Sequence, residues 1–365
     1  ERFLTDGHAL FLQLLEHRRH AAADDGGSAS GSLNYALAAY PWAEFNFFHT
    51  FGSATGSDLA RDWPYVAYLP SYVFWNWLPE AGEFGYGDAY HTSNKIRVEA
   101  LHLHLAQIIH FYAATQREGA AFAKWLLEKT PREKRSAFSW ARFLLTAGAL
   151  GPAVEPASRM PLARHFENMG QVFFRSGSGP EDTYALFTAG GVLEQHKHFD
   201  HNNFVIYKKG FLALDSGTRP EPGQHLTHYY SRTVAHNGIL IHMPGEKLPA
   251  YWGGPAPDEE ARPVPNDGGQ RRALGSAVVA FETTSQYAYV AGDATPTYHP
   301  DKCRLALRQW VFLPPNHFVV FDRVRSTRPE YKKTWLLHTA AEPRIAGSFF
   351  SATHEQGKLW CRTLL

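Results

Sequence analysis

The stretch of residues 194–237 concentrates side chains that can bind a metal or transfer protons. It opens with an H-x-H-x-D motif, in which His196 and His198 stand two positions apart. Side chains two apart on an extended backbone point to one side, so we expect these two histidines to share a face. Asp215 and His236 follow, each beside a turn-forming sequence. This set suits either a one-metal site or an acid/base cluster, and the residues alone leave both open.

Length and composition restrict the classes of protein to consider. At 365 residues the chain exceeds one small core, so we expect two domains. A net charge of +1 gives no bulk indication of a nucleic acid or a membrane as partner, and no apolar run approaches the length of a membrane span. Cys303 and Cys361 are the two cysteines, which excludes a disulfide framework. Aromatic residues reach 14%, which is compatible with a cleft that stacks sugar rings.

The first 150 residues are predicted to be helical. Apolar residues recur there at intervals of three and four, and Ser32 and Ser93 stand where N-caps are expected. The predicted helices cover residues 1–20, 33–48, 94–112, 120–129 and 135–145. Successive helical hairpins of this kind suit an α/α array.

From residue 151 to 365 the pattern changes to short apolar runs separated by turns. Strands at this spacing, with no helices between them, indicate an antiparallel sheet stack. We therefore predict an α+β chain with a helical domain at 1–150 and a β-sandwich at 151–365. The predicted strands cover residues 171–175, 184–188, 203–208, 211–214, 238–242, 277–281, 287–291, 306–312, 317–321, 333–338 and 358–365.

One alternative is a metallo-β-lactamase-like hydrolase, because residues 196–201 spell H-x-H-x-D-H. In that fold the motif lies on a loop that leads into a helix. Here the following residues, 203–208, have the character of a strand, and a helical domain of about 150 residues comes first. The pattern therefore favours a different fold.

The chain resembles the heparinase II/III-like polysaccharide lyases, and within them the heparinase II type. Besides the H-x-H-x-D motif, the matching residues are D-S-G at 215–217, Y-S-R-T-V-A-H-N at 230–237 and N-M-G-Q-V-F-F-R-S at 168–176. Asp25-Gly26-Gly27 with Tyr35 resembles the segment that supplies the catalytic tyrosine, although Ser30 stands where relatives often carry glutamate. The resemblance implies an incomplete α/α toroid followed by the β-sandwich.

The resemblance also implies roles for individual residues. Tyr35 and His196 would be the acid/base pair facing each other across one cleft. Tyr230 and Arg232 would lie near the substrate. Apart from the resemblance, His91 at the end of the stretch 87–91 is a further candidate to face the cleft, and a loop that enters a helix explains it equally well.

The metal site is likewise implied by the resemblance. His198, Asp215 and His236 would bind one zinc ion in a structural role. Three protein ligands plus water more often mark a catalytic zinc, so ligand chemistry alone favours a catalytic metal.

The implied activity is β-elimination on a uronate-containing acidic glycan, with heparin or heparan sulfate as the leading substrate. The alternative from another class is a non-catalytic glycan-binding relative. The resemblance implies a periplasmic or secreted protein without nucleic-acid or membrane partners, and leaves a homodimer open. Because the first residues already have helical character and the last ones strand character, we expect a fragment, with a carboxylate-neutralising Asn/His group encoded before Glu1.

Overall fold

The computed structural model describes residues 2–22, 26–27, 30–89, 95–130, 160–217, 225–251 and 264–364, without the side chains of residues 36 and 38–42. The chain divides into two compact units. The helical unit comprises Glu1–Trp77 and Lys95–Met160, and the sheet unit comprises Leu78–Asn94 and Pro161–Leu365. The sequence placed the boundary between the two domains at residue 150. It did not indicate that Leu78–Asn94, which lies between helices along the chain, belongs to the sheet unit.

The described helical unit contains five α-helices, four of which the sequence predicted. The unpredicted helix, α3, is buried at every position, so it lacks the amphipathic period by which a helix is recognised. The predicted helix at 135–145 and the cap at Ser93 lie outside the described residues. None of the described helices is long and apolar enough to cross a membrane. The helices are α1 (Arg2–Ala22), α2 (Leu33–Thr55), α3 (Leu69–Asn76), α4 (Val98–Tyr112) and α5 (Arg117–Lys129).

Helix α2 begins where the sequence predicted, with Ser32 at the N-cap position, but it runs to Thr55 and ends at Gly56. Gly56 adopts φ 75°, the left-handed conformation that glycine takes most readily at a helix end. The first turn of α2 is tied to the entry of α4, because the Asn34 side chain accepts a hydrogen bond from the backbone N–H of Arg97 at 3.0 Å. This contact fixes the backbone immediately before Tyr35.

The sheet unit contains fourteen described strands in four antiparallel sheets. The sequence predicted this antiparallel class of structure. A five-stranded sheet has the order β1-β2-β3-β4-β5, and a four-stranded sheet has the order β10-β9-β8-β7. Strand β6 pairs with β11 in a two-stranded sheet, and β12, β13 and β14 form the fourth sheet. The strands are β1 (Ala163–Phe166), β2 (Gln171–Arg175), β3 (Tyr184–Thr188), β4 (Phe204–Tyr207), β5 (Phe211–Ala213), β6 (Ile239–Ile241), β7 (Ala277–Thr283), β8 (Ala288–Asp293), β9 (Cys303–Leu313), β10 (His317–Ser326), β11 (Lys333–Trp335), β12 (Arg344–Ala346), β13 (Phe349–His354) and β14 (Gly357–Arg362).

The core of the sheet unit lies between the five-stranded and the four-stranded sheet, which makes this part a sandwich. Trp310 on β9 is fully buried and contacts rings from both sheets, including Phe204 on β4 at 4.5 Å and Phe318 on β10 at 5.0 Å between centroids. Alternate residues of β9 are buried, as expected of a strand with one face on a core. This sandwich is the rigid frame from which the polar loops of the site extend.

Candidate functional site

The H-x-H-x-D segment lies in the connection between β3 and β4 and is not extended. The expectation that an extended backbone puts His196 and His198 on one face was therefore wrong. His196 has φ 62°, the left-handed region that non-glycine residues seldom adopt. Its backbone carbonyl accepts a hydrogen bond from the N–H of Asp88 at 3.2 Å. The two histidines come together through a common partner instead.

That partner is Asp88, on the segment Leu78–Asn94 of the sheet unit. His196 Nδ1 donates a hydrogen bond to Asp88 Oδ2 at 2.9 Å, and His198 Nε2 donates to Asp88 Oδ1 at 3.0 Å. The side chains of Asp88 and His198 are 3% and 0% exposed, so these charge-assisted bonds are shielded from water. One carboxylate therefore orients both histidines of the motif.

A second carboxylate–histidine pair lies beside the first. His236 Nδ1 donates to Asp215 Oδ1 at 2.8 Å, and both side chains are fully buried. The His198 and His236 rings are 5.4 Å apart between centroids, which joins the two pairs into one cluster. Gly217 is required beside it, because a Cβ at that position would lie 2.2 Å from Cε1 of His236.

Two asparagines fix the loops that carry this pair. Asn203, at the start of β4, donates to Asp215 Oδ2 at 2.9 Å and accepts a bond from the N–H of Asn237 at 2.8 Å. The Asn237 amide in turn donates to the carbonyls of Phe204 and Leu214. The sandwich strands thus determine where Asp215 and His236 stand.

Asp200, Asp215 and His236 form a group whose potential ligand atoms all lie within 4.8 Å of one another. Burial raises the pKa of Asp200. Burial would also raise the pKa of Asp215, but the charge and hydrogen bond of His236 lower it overall. Burial opposes protonation of His236, yet Asp215 raises the pKa of that ring. Without a metal, each of Asp215 and His236 therefore favours the charged form of the other.

Hydrogen bonding decides which ring nitrogen of each neutral histidine carries a lone pair. Since the carboxylates take the other N–H, the lone pairs fall on His196 Nε2, His198 Nδ1 and His236 Nε2. The buried atoms His198 Nδ1, His236 Nε2 and Asp200 Oδ1 have no hydrogen-bond partner within the described part of the chain. Unpaired buried nitrogen and carboxylate donors of this kind fit a divalent zinc-type ion.

Compared with the expected ligands His198, Asp215 and His236, the closely spaced group keeps Asp215 and His236 and contains Asp200 in place of His198. The His198 side chain directs Nε2 to Asp88 while its Nδ1 stays unpartnered. The ligand set therefore stays a prediction, with Asp200 as an added candidate.

The expected acid/base partner, Tyr35, lies on α2 in the helical unit and is partly buried. His196 lies in the sheet unit with its side chain 9% exposed, and the pairing of the two stays a prediction. His91 lies outside the described residues.

Arg232 does not present its charge to solvent, and its place near the substrate stays a prediction. Its side chain is 0% exposed, and Nε and Nη2 donate to the Asp267 carboxylate at 3.1 and 3.2 Å. Its guanidinium also stacks over Phe199 at 5.1 Å. Tyr230 is partly buried against a small apolar cluster that contains the same Phe199. Arg232 thus holds the loop in place from within.

Sequence reasoning missed Asp88 and Asp267 altogether and did not count Asp200 as a ligand. Asp88 follows a glycine- and aromatic-rich run, Phe84–Gly87, and such a run beside a lone acid is the signal that was available. Asp267 lies in a Pro- and Gly-rich stretch that reads as a surface loop. Neither position has a spacing that ties it to the histidines.

Comparison with solved structures identifies the fold. A crystal structure of a heparan sulfate lyase HepC mutant from Pedobacter heparinus matches with a TM-score of 0.64 and 18% identity, over 100% of this chain and 49% of that one. A crystal structure of heparinase III matches with a TM-score of 0.62 and 15% identity, over 94% and 48% of the two chains. This chain thus spans about half the length of the solved structures it matches. At this identity the likeness concerns the fold alone.

A search of curated protein sequences gives no match. In the comparison with protein families, residues 159–361 match the family described as "Heparinase II/III-like, C-terminal". The match contains His196, His198, Asp200, Asp215 and His236. By this match, which covers more than half of its length, the chain belongs to the heparinase II/III-like family.

Proposed function

We propose that the chain is the sheet-bearing part of a polysaccharide lyase that cleaves uronate-containing acidic glycans by β-elimination. The observation that carries the proposal is the Asp88 carboxylate, which orients His196 so that the lone pair of a neutral ring falls on Nε2. A histidine held in one tautomer by a buried carboxylate is a general base of the kind elimination requires. Heparin or heparan sulfate is the leading substrate, and chondroitin-type chains or alginate are the others.

The reaction sets the chemical demands on the site. A base removes the proton at C5 of the uronate, the C4–O4 bond breaks, a double bond forms between C4 and C5, and O4 leaves with a proton. The C5 proton is weakly acidic because the adjacent carboxylate repels the developing negative charge. Donors or cations that neutralise this carboxylate lower the barrier, because they stabilise charge that grows in the transition state.

His196 and Tyr35 share the two proton transfers in this proposal. Both groups act on one sugar ring and its linkage, so they must lie at neighbouring positions when substrate is bound. An unperturbed tyrosine has a pKa of about 10, and a nearby cation that lowers this value would let the hydroxyl act as acid or base. Tyr230 and His91 are the proposed substrate contacts, whereas Arg232 supports the loop that carries Tyr230.

The metal proposal concerns Asp200, Asp215, His236 and the Nδ1 atom of His198, which together would hold one zinc ion. The ion would supply positive charge that neutralises the buried carboxylates and lock the loops together, which is a structural role. Elemental analysis of the purified protein should find about one zinc per chain. If His236→Ala lowers neither the zinc content nor the thermal midpoint, the metal proposal fails.

The decisive experiment follows ultraviolet absorbance while the complete protein that contains this chain degrades heparan sulfate. Elimination creates a double bond conjugated with the carboxylate, so absorbance should rise with every bond cleaved. New reducing ends without that rise would mean hydrolysis. Binding without turnover would favour the non-catalytic glycan-binding relative.

The pairing of Tyr35 with His196 is tested by Tyr35→Phe in the same protein. Loss of a general acid or base should lower turnover about 10²–10⁴-fold with the fold intact. The matched control is Tyr229→Phe, because the Tyr229 hydroxyl is exposed to solvent and contacts Ser216 Oγ at 3.1 Å. Equal rates for Tyr35→Phe and the control would remove Tyr35 from the mechanism.

The family resemblance also supports a periplasmic or secreted location and an acidic polysaccharide as the partner. A homodimer is compatible with this assignment, and ultracentrifugation of the complete protein would determine the stoichiometry.

A further inference from the structure

The sheet formed by β12, β13 and β14 has one side that carries cations and aromatic rings. In an antiparallel sheet, directly paired residues point to the same side. The register pairs Phe349 with Arg362, Trp360 with a serine of β13, and Arg344 of β12 with that same serine. Because side chains alternate along a strand, Lys358 lies on the same side as Trp360. We call the side defined by Arg344, Phe349, Lys358, Trp360 and Arg362 the Trp360 face.

The Trp360 face is turned to solvent, and on β13 and β14 the other side of the sheet is turned to the protein. Trp360 is 69% exposed and Phe349 is 45% exposed. On the opposite side, Ala352 is buried and Leu359 packs against the core of the sandwich. The orientation of the sheet is therefore fixed by packing on one side, which leaves the aromatic residues of the other side exposed.

Two of the cations are held against the rings. Lys358 Nζ lies 4.2 Å from the centroid of the Trp360 ring, and Arg362 Cζ lies 5.0 Å from the centroid of Phe349. Such contacts reduce the freedom of long side chains, so less entropy is lost when an anion binds to them. A guanidinium over a ring still directs its N–H donors outward in its own plane.

The charge on this face is of one sign. The described strand positions that share it carry three cations and two aromatic rings, and the remaining ones are Ala, Ser and Thr. Glu342 precedes β12, and Glu355 lies at the turn between β13 and β14. Burial raises the pKa of Tyr207 on the five-stranded sheet, and the negative charge of Glu355 raises it further. The face is thus complementary to an anion-bearing ligand.

We propose that the Trp360 face binds a segment of an acidic polysaccharide, as a second contact separate from the histidine cluster. Lys358 and Arg362 are about 13 Å apart along β14, which is room for a short oligosaccharide. Carboxylate or sulfate groups pair with the cations, and the apolar C–H side of a sugar ring rests on exposed aromatic surface. The identity of the polymer rests on the proposed function. A second contact of this kind raises the effective concentration of a long substrate at the first.

The test measures the affinity of the complete protein for a heparin oligosaccharide by calorimetry, with neutral dextran as a blank. Lys358→Gln/Arg362→Gln should weaken binding about tenfold and reduce its dependence on salt. The matched control is Arg323→Gln/Arg325→Gln, which removes two exposed strand cations from β10 and leaves the same net charge. An equal loss in both double variants means that general charge governs binding, and the proposal is then wrong.

Two further measurements locate the contact without relying on affinity alone. Trp360→Ala should weaken binding of the oligosaccharide with an unchanged thermal midpoint, because the side chain is mostly exposed. Lys358 should be protected from acetylation when heparin is present, and exposed Lys332 and Lys333 should not. Acetylation of Lys358 at the same rate with and without heparin would overturn the proposal.

This outcome is separable from that of the proposed reaction. A variant of the Trp360 face should keep the rate of elimination on a short oligosaccharide and lose rate on long chains. If the wild-type protein binds heparin at this face but no absorbance develops, the lyase proposal fails and the binding face stands.

Discussion

Two kinds of buried charge pair in the sheet unit differ in the side chain that faces the carboxylate. The pairs Arg232–Asp267, Arg308–Asp322 and Lys302–Glu246 join fully charged groups, and in each the buried cation also donates to backbone carbonyls. The histidine pairs with Asp88 and Asp215 instead leave one nitrogen of each ring with a lone pair. Guanidinium and ammonium groups have no lone pair to offer, whereas the neutral ring of a histidine pair can accept a proton or bind a metal.

This difference gives a criterion for sorting the residues of one motif. Arg232 and His236 are four residues apart, and both are fully buried beside an aspartate. Arg232 donates hydrogen bonds to Asp267 and to the Pro249 carbonyl, and it therefore determines the position of its own loop. His236 keeps Nε2 without a partner in the described part of the chain. Each of the variants below perturbs one side of this comparison.

The largest effect is expected for His196→Ala in the complete protein. Removing a general base should lower turnover about 10³-fold while the thermal midpoint changes little. Absorbance assays and thermal unfolding measured together would check this. His242→Ala, which removes an exposed histidine on the same unit, should leave both quantities unchanged. A His196→Ala protein with full activity would show that the Asp88 pair is structural like the arginine pairs.

The opposite pattern is expected for Arg232→Met. It leaves Asp267 without its cation, and breaking a buried pair in this way costs about 3–5 kcal/mol of unfolding free energy. Chemical denaturation should show the loss, while turnover of the remaining folded protein stays near that of wild type. The double variant Arg232→Met/Asp267→Leu should recover part of the stability. If Arg232→Met instead keeps its stability and loses substrate affinity, the residue does contact the glycan.

Some helices and strands could be predicted from the sequence and others could not. Helices with one apolar stripe and strands with alternating burial were predictable, because their periodicity is written in consecutive residues. Helix α3 and strands β1, β12 and β13 were missed, since the first is buried all round and the others are short or largely exposed at the edge of the pattern.

The site was predictable only as far as the motif reached. His196, His198, Asp215 and His236 do cluster, because Asp88 joins the two motif histidines and the Asn203 and Asn237 side chains tie the segments of Asp215 and His236 to β4. Asp88 comes from a segment 108 residues before His196, and nothing in local spacing ties them. The resemblance likewise placed Arg232 near the substrate without indicating its partner Asp267, which lies 35 residues away in the sequence.

Asp88→Asn should lower turnover about 10- to 100-fold with little change in KM, the usual scale for a group that orients a catalytic side chain. Asp88 accepts N–H bonds from two histidines, whereas asparagine has one acceptor oxygen and an NH₂ donor. One ring must therefore rotate or change tautomer, which ¹⁵N spectra of labelled histidine would detect. Asp182→Asn, which disturbs a turn bonded to Ser176 instead, is the matched control. Unchanged histidine spectra in Asp88→Asn would contradict the positioning role.

The smallest effect expected is a pH dependence that comes from the Asp215–His236 pair. Asp215 raises the pKa of His236 in the folded protein, so the pair contributes stability that is complete below the ordinary histidine pKa of about 6.5. This contribution is lost as pH rises through the raised value, because the unfolded ring has already released its proton. Chelator-treated protein should thus lose stability on going from about pH 6 to pH 8.

Zinc requires the deprotonated ring, so added zinc should stabilise more at the higher pH. A chelated His236→Gln protein lacks the ring whose pKa is raised and should therefore show a flatter profile than chelated wild type. Identical slopes in the two proteins would mean that the Asp215–His236 pair does not couple folding to protonation.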